Sequence, residues 1–251
     1  MFVEAIKRVE EALFPIVRLS ADFPEKGRIT VCVTGCGFFI DDRGTFASVA
    51  HAFDDPPPNS KYFFIGRLPD QLINPWLDIS EVARDECGDV LLGKVATLTP
   101  DFLPLSRETV PIGESVCASG YPLAKIAVTP RGGFEFGGVK RRFRSTMVIG
   151  RTQCAVERGR VQKGVLLQDP SLFGMSGGAV VDAAGMAVGM MGSVTNPEES
   201  IGGNGSRKIT VENGSVITAD QIYALYERTV GLRSILLPAA EIASAEEKKS
   251  A

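Results

Sequence analysis

The sequence predicts an all-β barrel protein with a helix near each end of the chain. From Pro15 onward, short apolar segments alternate with turns rich in Gly, Pro and Asp about every ten residues, which is typical of β-barrels. Apolar residues recur at helical spacing at the N-terminus and again after Thr218. With 251 residues, of which 44% are hydrophobic, the chain can bury a substantial core in one domain or in two closely packed ones.

The N-terminal segment is predicted to form an amphipathic helix that docks on the body of the protein. Its apolar positions lie at helical spacing with charged residues between them, and they are Phe2, Val3, Ile6, Val9 and Leu13. The segment lacks the basic-then-apolar layout of a secretory signal. No run approaches the roughly 20 apolar residues that cross a bilayer. We therefore expect a cytoplasmic protein that has no membrane partner.

Charge and cysteine content argue against several other classes. A charged fraction of 23% and a formal charge of -3 are ordinary for a globular protein, so nucleic acid is not an expected partner. The basic run Val139–Arg144 is interpreted as a solvated hairpin, and a site for an acidic partner or nucleic acid is the weaker interpretation. Five scattered cysteines indicate reduced thiols and neither a disulfide framework nor a zinc site. No cofactor is expected.

A serine held in a glycine turn is the central chemical motif of the chain. The motif is Gly-Met-Ser-Gly-Gly at 174–178. Glycines leave room for a carbonyl group to approach a serine nucleophile, whose oxygen needs a neighbouring base and N–H groups that stabilise an oxyanion. The following residues, 179–190, contain two apolar runs around a turn and predict a β-hairpin. Taken alone, the motif fits a glycine-rich loop between strands better than a catalytic site.

The base and the acid that such a serine needs are both present upstream. His51 is the only histidine of the chain and follows a strand-like run, and histidine suits general-base chemistry near neutral pH. Asp89 is the best candidate for the carboxylate that orients it, because it stands at the head of an apolar strand. Asp78, Asp85 and Asp101 are weaker rivals.

The order His51, Asp89, Ser176 resembles that of the chymotrypsin-like serine proteases. Three flanking stretches are similar to the HtrA-like branch: the hairpin at Gly35–Gly44 before the histidine, Gly113–Pro122, which opens the second barrel there, and Ser176–Val194, which aligns with the nucleophile hairpin of the family without a gap. The resemblance covers roughly residues 28–217 and depends on four ordered motifs. It implies a double six-stranded β-barrel closed by a C-terminal helix, to which the predicted N-terminal helix is added. We expect no PDZ domain, which is a departure from typical HtrA architecture. The implied segments are a helix and lead-in (1–27), a first barrel (28–100), a linker and second barrel (101–217), a C-terminal helix (218–237) and a flexible tail (238–251).

The resemblance also implies roles for the site residues. Ser176 would attack the scissile carbonyl of a protein or peptide substrate, His51 would accept its proton, and Asp89 would orient His51. The backbone N–H groups of Gly174 and Ser176 would form the oxyanion hole. No metal is implied.

Two departures from the family affect activation and specificity. Met175 stands where digestive proteases have an aspartate that forms an ion pair with a newly freed N-terminus. Activation by that ion pair is therefore unavailable, and the site would be competent from the start or gated by loop ordering or a regulatory protein partner. The substrate pocket would be lined by five residues, of which Pro170 replaces the acid that selects basic side chains: Pro170, Met190, Met191, Gly192 and Ser193. Methionines make an adaptable apolar lining, which favours a small or medium hydrophobic side chain at the P1 position of the substrate.

Two alternatives to a peptidase remain. A catalytically silent pseudoprotease could bind peptides in the same cleft as a binding module. An esterase or another acyl-transfer enzyme could use the same residues, although the strand-turn-helix arrangement around the nucleophile of α/β-hydrolases is missing.

Overall fold

The computed structural model describes most of the chain, and its strands form two closed six-stranded barrels and two separate hairpins. The described residues are 1–22, 28–57, 59–64, 77–95, 101–128, 134–155, 161–195, 198–201, 207–210 and 213–231. All pairings between the named strands are antiparallel. The predicted double barrel with a helix at each end is therefore confirmed.

The first barrel has the strand order β1-β2-β3-β6-β5-β4. Its strands are β1 (Leu13–Asp22), β2 (Arg28–Phe39), β3 (Thr45–Val49), β4 (Lys61–Phe64), β5 (Leu77–Asp85) and β6 (Val90–Val95). Phe46 fills the interior opposite Gly93, where a Cβ atom would lie only 2.1 Å from the Phe46 ring. The first barrel was expected to start at residue 28. It starts at Leu13, because β1 pairs with both β2 and β4.

The second barrel has the strand order β10-β11-β16-β13-β12-β7. Its strands and the two hairpins outside it are β7 (Ser115–Gly120), β8 (Lys125–Val128), β9 (Phe134–Gly137), β10 (Arg142–Ala155), β11 (Val161–Leu167), β12 (Ala179–Val181), β13 (Ala187–Thr195), β14 (Glu198–Ile201), β15 (Arg207–Thr210) and β16 (Asn213–Thr218). β8 pairs with β9, and β14 pairs with β15. The hairpin predicted after Ser176 is confirmed as β12–β13, with Ala179 opposite Met190.

Helix α1 (Val3–Ala12) precedes the first barrel but contacts the second. Val9 and Ala12 are fully buried on its inner face, whereas Val3 is 64% exposed, so the predicted apolar face is wrong at that position. The Arg8 guanidinium donates a hydrogen bond to the carbonyl of Ala184 in the β12–β13 turn, over 3.2 Å. The side chain of Arg141 likewise donates to the carbonyl of Glu10. The helix therefore helps to hold the two barrels together.

The C-terminal helix α2 (Ala219–Tyr226) continues into a π-helical turn at Glu227–Gly231. Its Tyr226 hydroxyl donates to Asp41 Oδ2 in the β2–β3 turn over 3.2 Å. Burial alone would raise the pKa of Asp41, but hydrogen bonds from Thr45, Arg43 and Tyr226 hold it below its usual value. Helix α2 is thereby attached to the first barrel. The predicted flexible tail at 238–251 lies outside the described residues.

Within the part of the chain that the structure describes, no helix is both long enough and apolar enough to cross a membrane.

Candidate active site

The pairing of β3 with β6 brings His51 next to Asp89. Val49, the last residue of β3, lies opposite Val90, the first residue of β6. The residues just beyond this pair are therefore neighbours, and Ala50 N–H donates to the carbonyl of Asp89 over 3.1 Å. After β3 the chain enters a 3-10 turn at Ala50–Phe53, which carries the His51 ring.

Both carboxylate oxygens of Asp89 bind His51. Oδ2 lies 2.7 Å from His51 Nδ1, and Oδ1 accepts the His51 backbone N–H over 2.9 Å. The Asp89 residue is fully buried, whereas the His51 side chain is 30% exposed. Because a carboxylate is a hydrogen-bond acceptor, this contact places the imidazole proton on Nδ1 and leaves Nε2 available to accept a proton.

Asp89 has a backbone φ of 59°, in the left-handed region that Asp and Asn tolerate better than most residues. The rival carboxylates lie elsewhere. Asp85 Oδ1 accepts the N–H of Gly88 over 3.0 Å, within the turn that leads to Asp89. Asp78 lies on β5 opposite Phe63, and Asp101 is exposed. Among the four carboxylates, the structure gives a contact with the His51 ring only for Asp89, within the described part of the chain.

The serine turn of the second barrel lies directly against β2 of the first. The Cys36 N–H donates to the carbonyl of Ser176 over 2.8 Å. A Cβ atom at Gly35 would lie 3.0 Å from that carbonyl oxygen and 3.1 Å from the Ala52 side chain, which is next in sequence to His51. Gly35 is thus the spacer between the turn that carries Ser176 and the turn that carries His51. A larger residue at this position would force the two turns apart.

The Ser176 hydroxyl lies at the other edge of the turn, beside strand β13. Oγ donates to the carbonyl of Gly192 over a long 3.4 Å. The flanking backbone is firmly held, since Gly177 N–H donates to Met191 O over 2.7 Å and Met191 N–H donates to Gly178 O over 2.8 Å. The hydroxyl therefore sits on a backbone held on both sides, and among the described residues this weak hydrogen bond is the only one it makes.

The residues before Ser176 form a type II turn. Met175 N–H donates to Leu172 O over 2.9 Å, and Gly174 has a φ of 92°, as the third residue of such a turn requires. The carbonyl of Phe173 accepts the Leu123 N–H over 3.0 Å. In a trans peptide the C=O and the following N–H point in opposite directions, so the Gly174 N–H is directed away from Leu123. No residue in the described part of the chain accepts this N–H, so it can donate to a ligand on that other side.

Cys36 is a site residue that the sequence analysis missed. Its Sγ contacts the carbonyl of Gly174 over 3.1 Å, and its own carbonyl accepts the hydroxyl of Ser48 over 2.7 Å. Burial raises the pKa of the Cys36 thiol to about 12, so it is a neutral donor to the turn and not a nucleophile. The small-residue run Gly-Cys-Gly at 35–37 was the one local signal of this close packing.

The described cysteines are free thiols: Cys32, Cys36, Cys87 and Cys117. The side chain of Cys154 lies outside the described residues. Across the residues whose positions are described, no group of three or more His, Cys, Asp or Glu side chains is arranged to hold a metal ion.

The five residues predicted to line a substrate pocket have different environments. Met190 and Met191 are 0% and 1% exposed and belong to different apolar clusters, because successive side chains of a strand point to opposite faces. Pro170 is partly buried and its carbonyl accepts a hydrogen bond from Arg144 over 3.2 Å. The Gly192 carbonyl meets Ser176, and the Ser193 carbonyl accepts the Ser215 hydroxyl over 2.6 Å.

Comparison with known proteins identifies the family and the fold of this chain. The family model described as the trypsin-like peptidase domain matches residues 35–190. The solved structures that are similar include the active form of the Rv3671c protease from M. tuberculosis, at 17% identity and a TM-score of 0.61, covering 90% of this chain and 83% of that chain. Its inactive form has 16% identity, a TM-score of 0.58 and coverages of 90% and 92%.

A third similar structure is the HtrA-type protease AlgW with a decapeptide, at 14% identity and a TM-score of 0.66, covering 90% of this chain and 67% of that one. At these identities, the likeness establishes the chymotrypsin-like fold. A search of curated proteins finds no match.

Proposed function

Because the chain belongs to the trypsin-like peptidase family, we propose that it is a serine endopeptidase of the HtrA-like branch. It cleaves peptide bonds of protein substrates through His51, Asp89 and Ser176 and an acyl-enzyme intermediate. The observation that carries the proposal is the double hydrogen bond from His51 to the buried Asp89. Gly35 lies close both to the carbonyl of Ser176 and to Ala52, which is next to His51 in sequence. Such an arrangement suits acyl transfer by an activated serine.

The mechanism follows from the positions of these groups. Ser176 Oγ attacks the scissile carbonyl carbon while its proton passes to His51 Nε2, and the C–N bond then breaks as that proton moves to the leaving amine. A water molecule repeats the sequence on the acyl-enzyme and releases the carboxylate product. Asp89 keeps the imidazole in the required tautomer and stabilises its charged form. The Gly174 and Ser176 N–H groups stabilise the oxyanion, a role supported by the orientation of the Phe173–Gly174 peptide.

The test is covalent labelling of the purified protein with a fluorophosphonate probe, which reacts with an activated serine. We expect labelling of the native chain at Ser176 and none in the Ser176→Ala or His51→Ala variants, because one removes the nucleophile and the other its base. Mass spectrometry identifies the modified residue, and circular dichroism verifies that both variants are folded. Labelling that survives in Ser176→Ala, or a folded native chain that never reacts, would contradict the proposal; the second result would favour a peptide-binding pseudoprotease.

We also infer that the enzyme prefers a small or medium hydrophobic residue at P1. At one side of the predicted pocket Met191 lies close to Gly214: its methyl group would be 3.3 Å from a Cβ atom there, and the Gly214 N–H donates to Asp169 O over 3.0 Å. A long cationic side chain would meet methionine at this place, and among the residues described around Gly214 only Asp169 is acidic. In a fluorogenic peptide library we expect cleavage mainly after Ala, Val or Leu, and a Met191→Ala variant should extend cleavage to larger residues. Dominant cleavage after Lys or Arg would refute this specificity.

A further inference from the structure

A groove beside the serine turn is not used by the proposed chemistry. It has a volume of about 580 Å³ and is lined by both the β7–β8 connection and the start of β10. We call it the basic groove, and the lining residues that matter here are Leu123, Lys140, Arg142, Arg144, Leu172 and Met175. It lies on the side of the Leu172–Met175 turn to which the Phe173 carbonyl points, because that carbonyl binds the Leu123 N–H.

One wall of the basic groove is cationic. Arg142 and Arg144 lie two residues apart on β10 and therefore share a face of the strand, and Lys140 precedes them at the same spacing. Lys140 and Arg142 are exposed and make no ion pair with any residue among those described. Arg144 donates one hydrogen bond to the Pro170 carbonyl. The wall therefore presents positive charge that the described chain leaves uncompensated.

The basic groove is also lined by apolar residues. They include Met175, which is buried, and Leu172. Leu123 and the neighbouring Phe173 are 66% and 83% exposed, respectively, although large apolar side chains are usually covered. A ligand that suits both the cationic and the apolar residues combines carboxylates with an apolar side chain.

Occupation of this groove would act on the serine turn through shared residues. Leu123 lines the groove and also holds the Phe173 carbonyl, which sets the direction of the Gly174 N–H. Its own backbone has a φ of 58°, a conformation that is strained for a leucine and needs support from its surroundings. Leu172 and Met175 form the two ends of the same turn. A ligand packed on these residues therefore stabilises the orientation of the Gly174 N–H.

We propose that the basic groove binds an acidic peptide segment of a partner protein, which carries an apolar side chain, and that this segment activates the enzyme by holding the Leu172–Met175 turn in the conformation described. The regulatory part rests on the proposed serine chemistry. Charge complementarity identifies the occupant: the groove offers cations and apolar surface, so a neutral or basic peptide gains much less from it.

Binding is tested without reference to activity. A fluorescein-labelled peptide of alternating glutamate and leucine is titrated into the Ser176→Ala protein, beside a control peptide with glutamine in place of glutamate. We expect binding of the acidic peptide alone, about tenfold weaker in a Lys140→Ala/Arg142→Ala variant and weaker at high salt. Arg151→Ala is the matched control, since this exposed arginine lies on the same strand outside the groove. Equal binding of both peptides, or equal loss in the control variant, would overturn the proposal.

Activation is tested by the rate of fluorophosphonate labelling of the protein with Ser176 intact. The acidic peptide should raise this rate about fivefold or more, and the Lys140→Ala/Arg142→Ala variant should lose the increase while it keeps its basal rate. An unchanged rate with the groove saturated would overturn the regulatory role, and a lower rate would overturn it by showing that the peptide occupies the substrate cleft. A folded protein that binds the peptide yet is never labelled would refute the serine chemistry while supporting the acidic ligand of the groove.

Discussion

Replacement of Asp89 by Asn should reduce the rate of fluorophosphonate labelling and of peptide hydrolysis by about 10⁴-fold, with the fold intact. Asn can keep one of the two contacts, because its Oδ1 accepts the His51 backbone N–H as Asp89 Oδ1 does over 2.9 Å. Its amide NH₂ then faces His51 Nδ1 in place of the carboxylate oxygen at 2.7 Å. As a donor, it turns Nδ1 into the acceptor and moves the proton to Nε2, which can no longer take the proton of Ser176.

Asp85→Asn is the matched control for this prediction. Asp85 is the neighbouring rival carboxylate, and its Oδ1 accepts only the Gly88 N–H in the structure described, which an Asn oxygen can also accept. We expect its labelling rate to stay within about twofold of the native rate. Thermal unfolding of both variants shows whether a loss of activity follows from a loss of stability. Similar rate losses in Asp85→Asn and Asp89→Asn would remove Asp89 from its proposed role.

The pairing of these residues was within reach of sequence reasoning because each stands next to a recognisable strand. His51 follows an apolar run and Asp89 precedes another, so they become neighbours once those two strands pair. The all-β barrel class and the hairpin at β12–β13 could be predicted for the same reason, since apolar runs separated by turn residues are local signals. The division into two six-stranded barrels was implied by the resemblance to the chymotrypsin-like proteases. To place His51 beside Asp89, the prediction then needed only the pairing of the two strands that carry them.

Contacts between distant segments could not be predicted in this way. Cys36 touches Gly174 and Ser176, but nothing in a Gly-Cys-Gly run says which distant backbone it approaches. The expected start of the first barrel at residue 28 followed the extent of the family resemblance, although apolar segments typical of a barrel were recognised from Pro15 onward. Strand β1 shows that the barrel begins at Leu13. The basic groove joins the β7–β8 connection, the start of β10 and the serine turn, so its charges looked like an ordinary solvated run.

Replacement of Gly177 by Ala should both destabilise the protein and disable the serine turn. Gly177 has a φ of 80°, and a Cβ atom there would lie 2.1 Å from the carbonyl oxygen of Cys36 and 2.8 Å from Ser48 Oγ. The oxygen of Cys36 belongs to backbone and cannot rotate away, so the first barrel and the serine turn must separate. We expect a loss of about 3 kcal/mol or more in the free energy of unfolding, measured by urea denaturation, and a labelling rate at least about 100-fold lower.

Gly113→Ala separates the two causes of that loss. Gly113 also has a positive φ, 89°, but a Cβ atom there would meet nothing within 4 Å, so its replacement carries only the conformational cost of about 1 kcal/mol and should leave labelling unchanged. If Gly177→Ala is no more destabilising than Gly113→Ala, the close approach of the serine turn to Cys36 is refuted. An excess loss that Gly113→Ala does not share is the steric cost of the added Cβ atom, which would show that the barrels are in close contact at the serine turn. Because His51 belongs to one barrel and Ser176 to the other, that contact is what fixes the distance between the proposed base and its nucleophile.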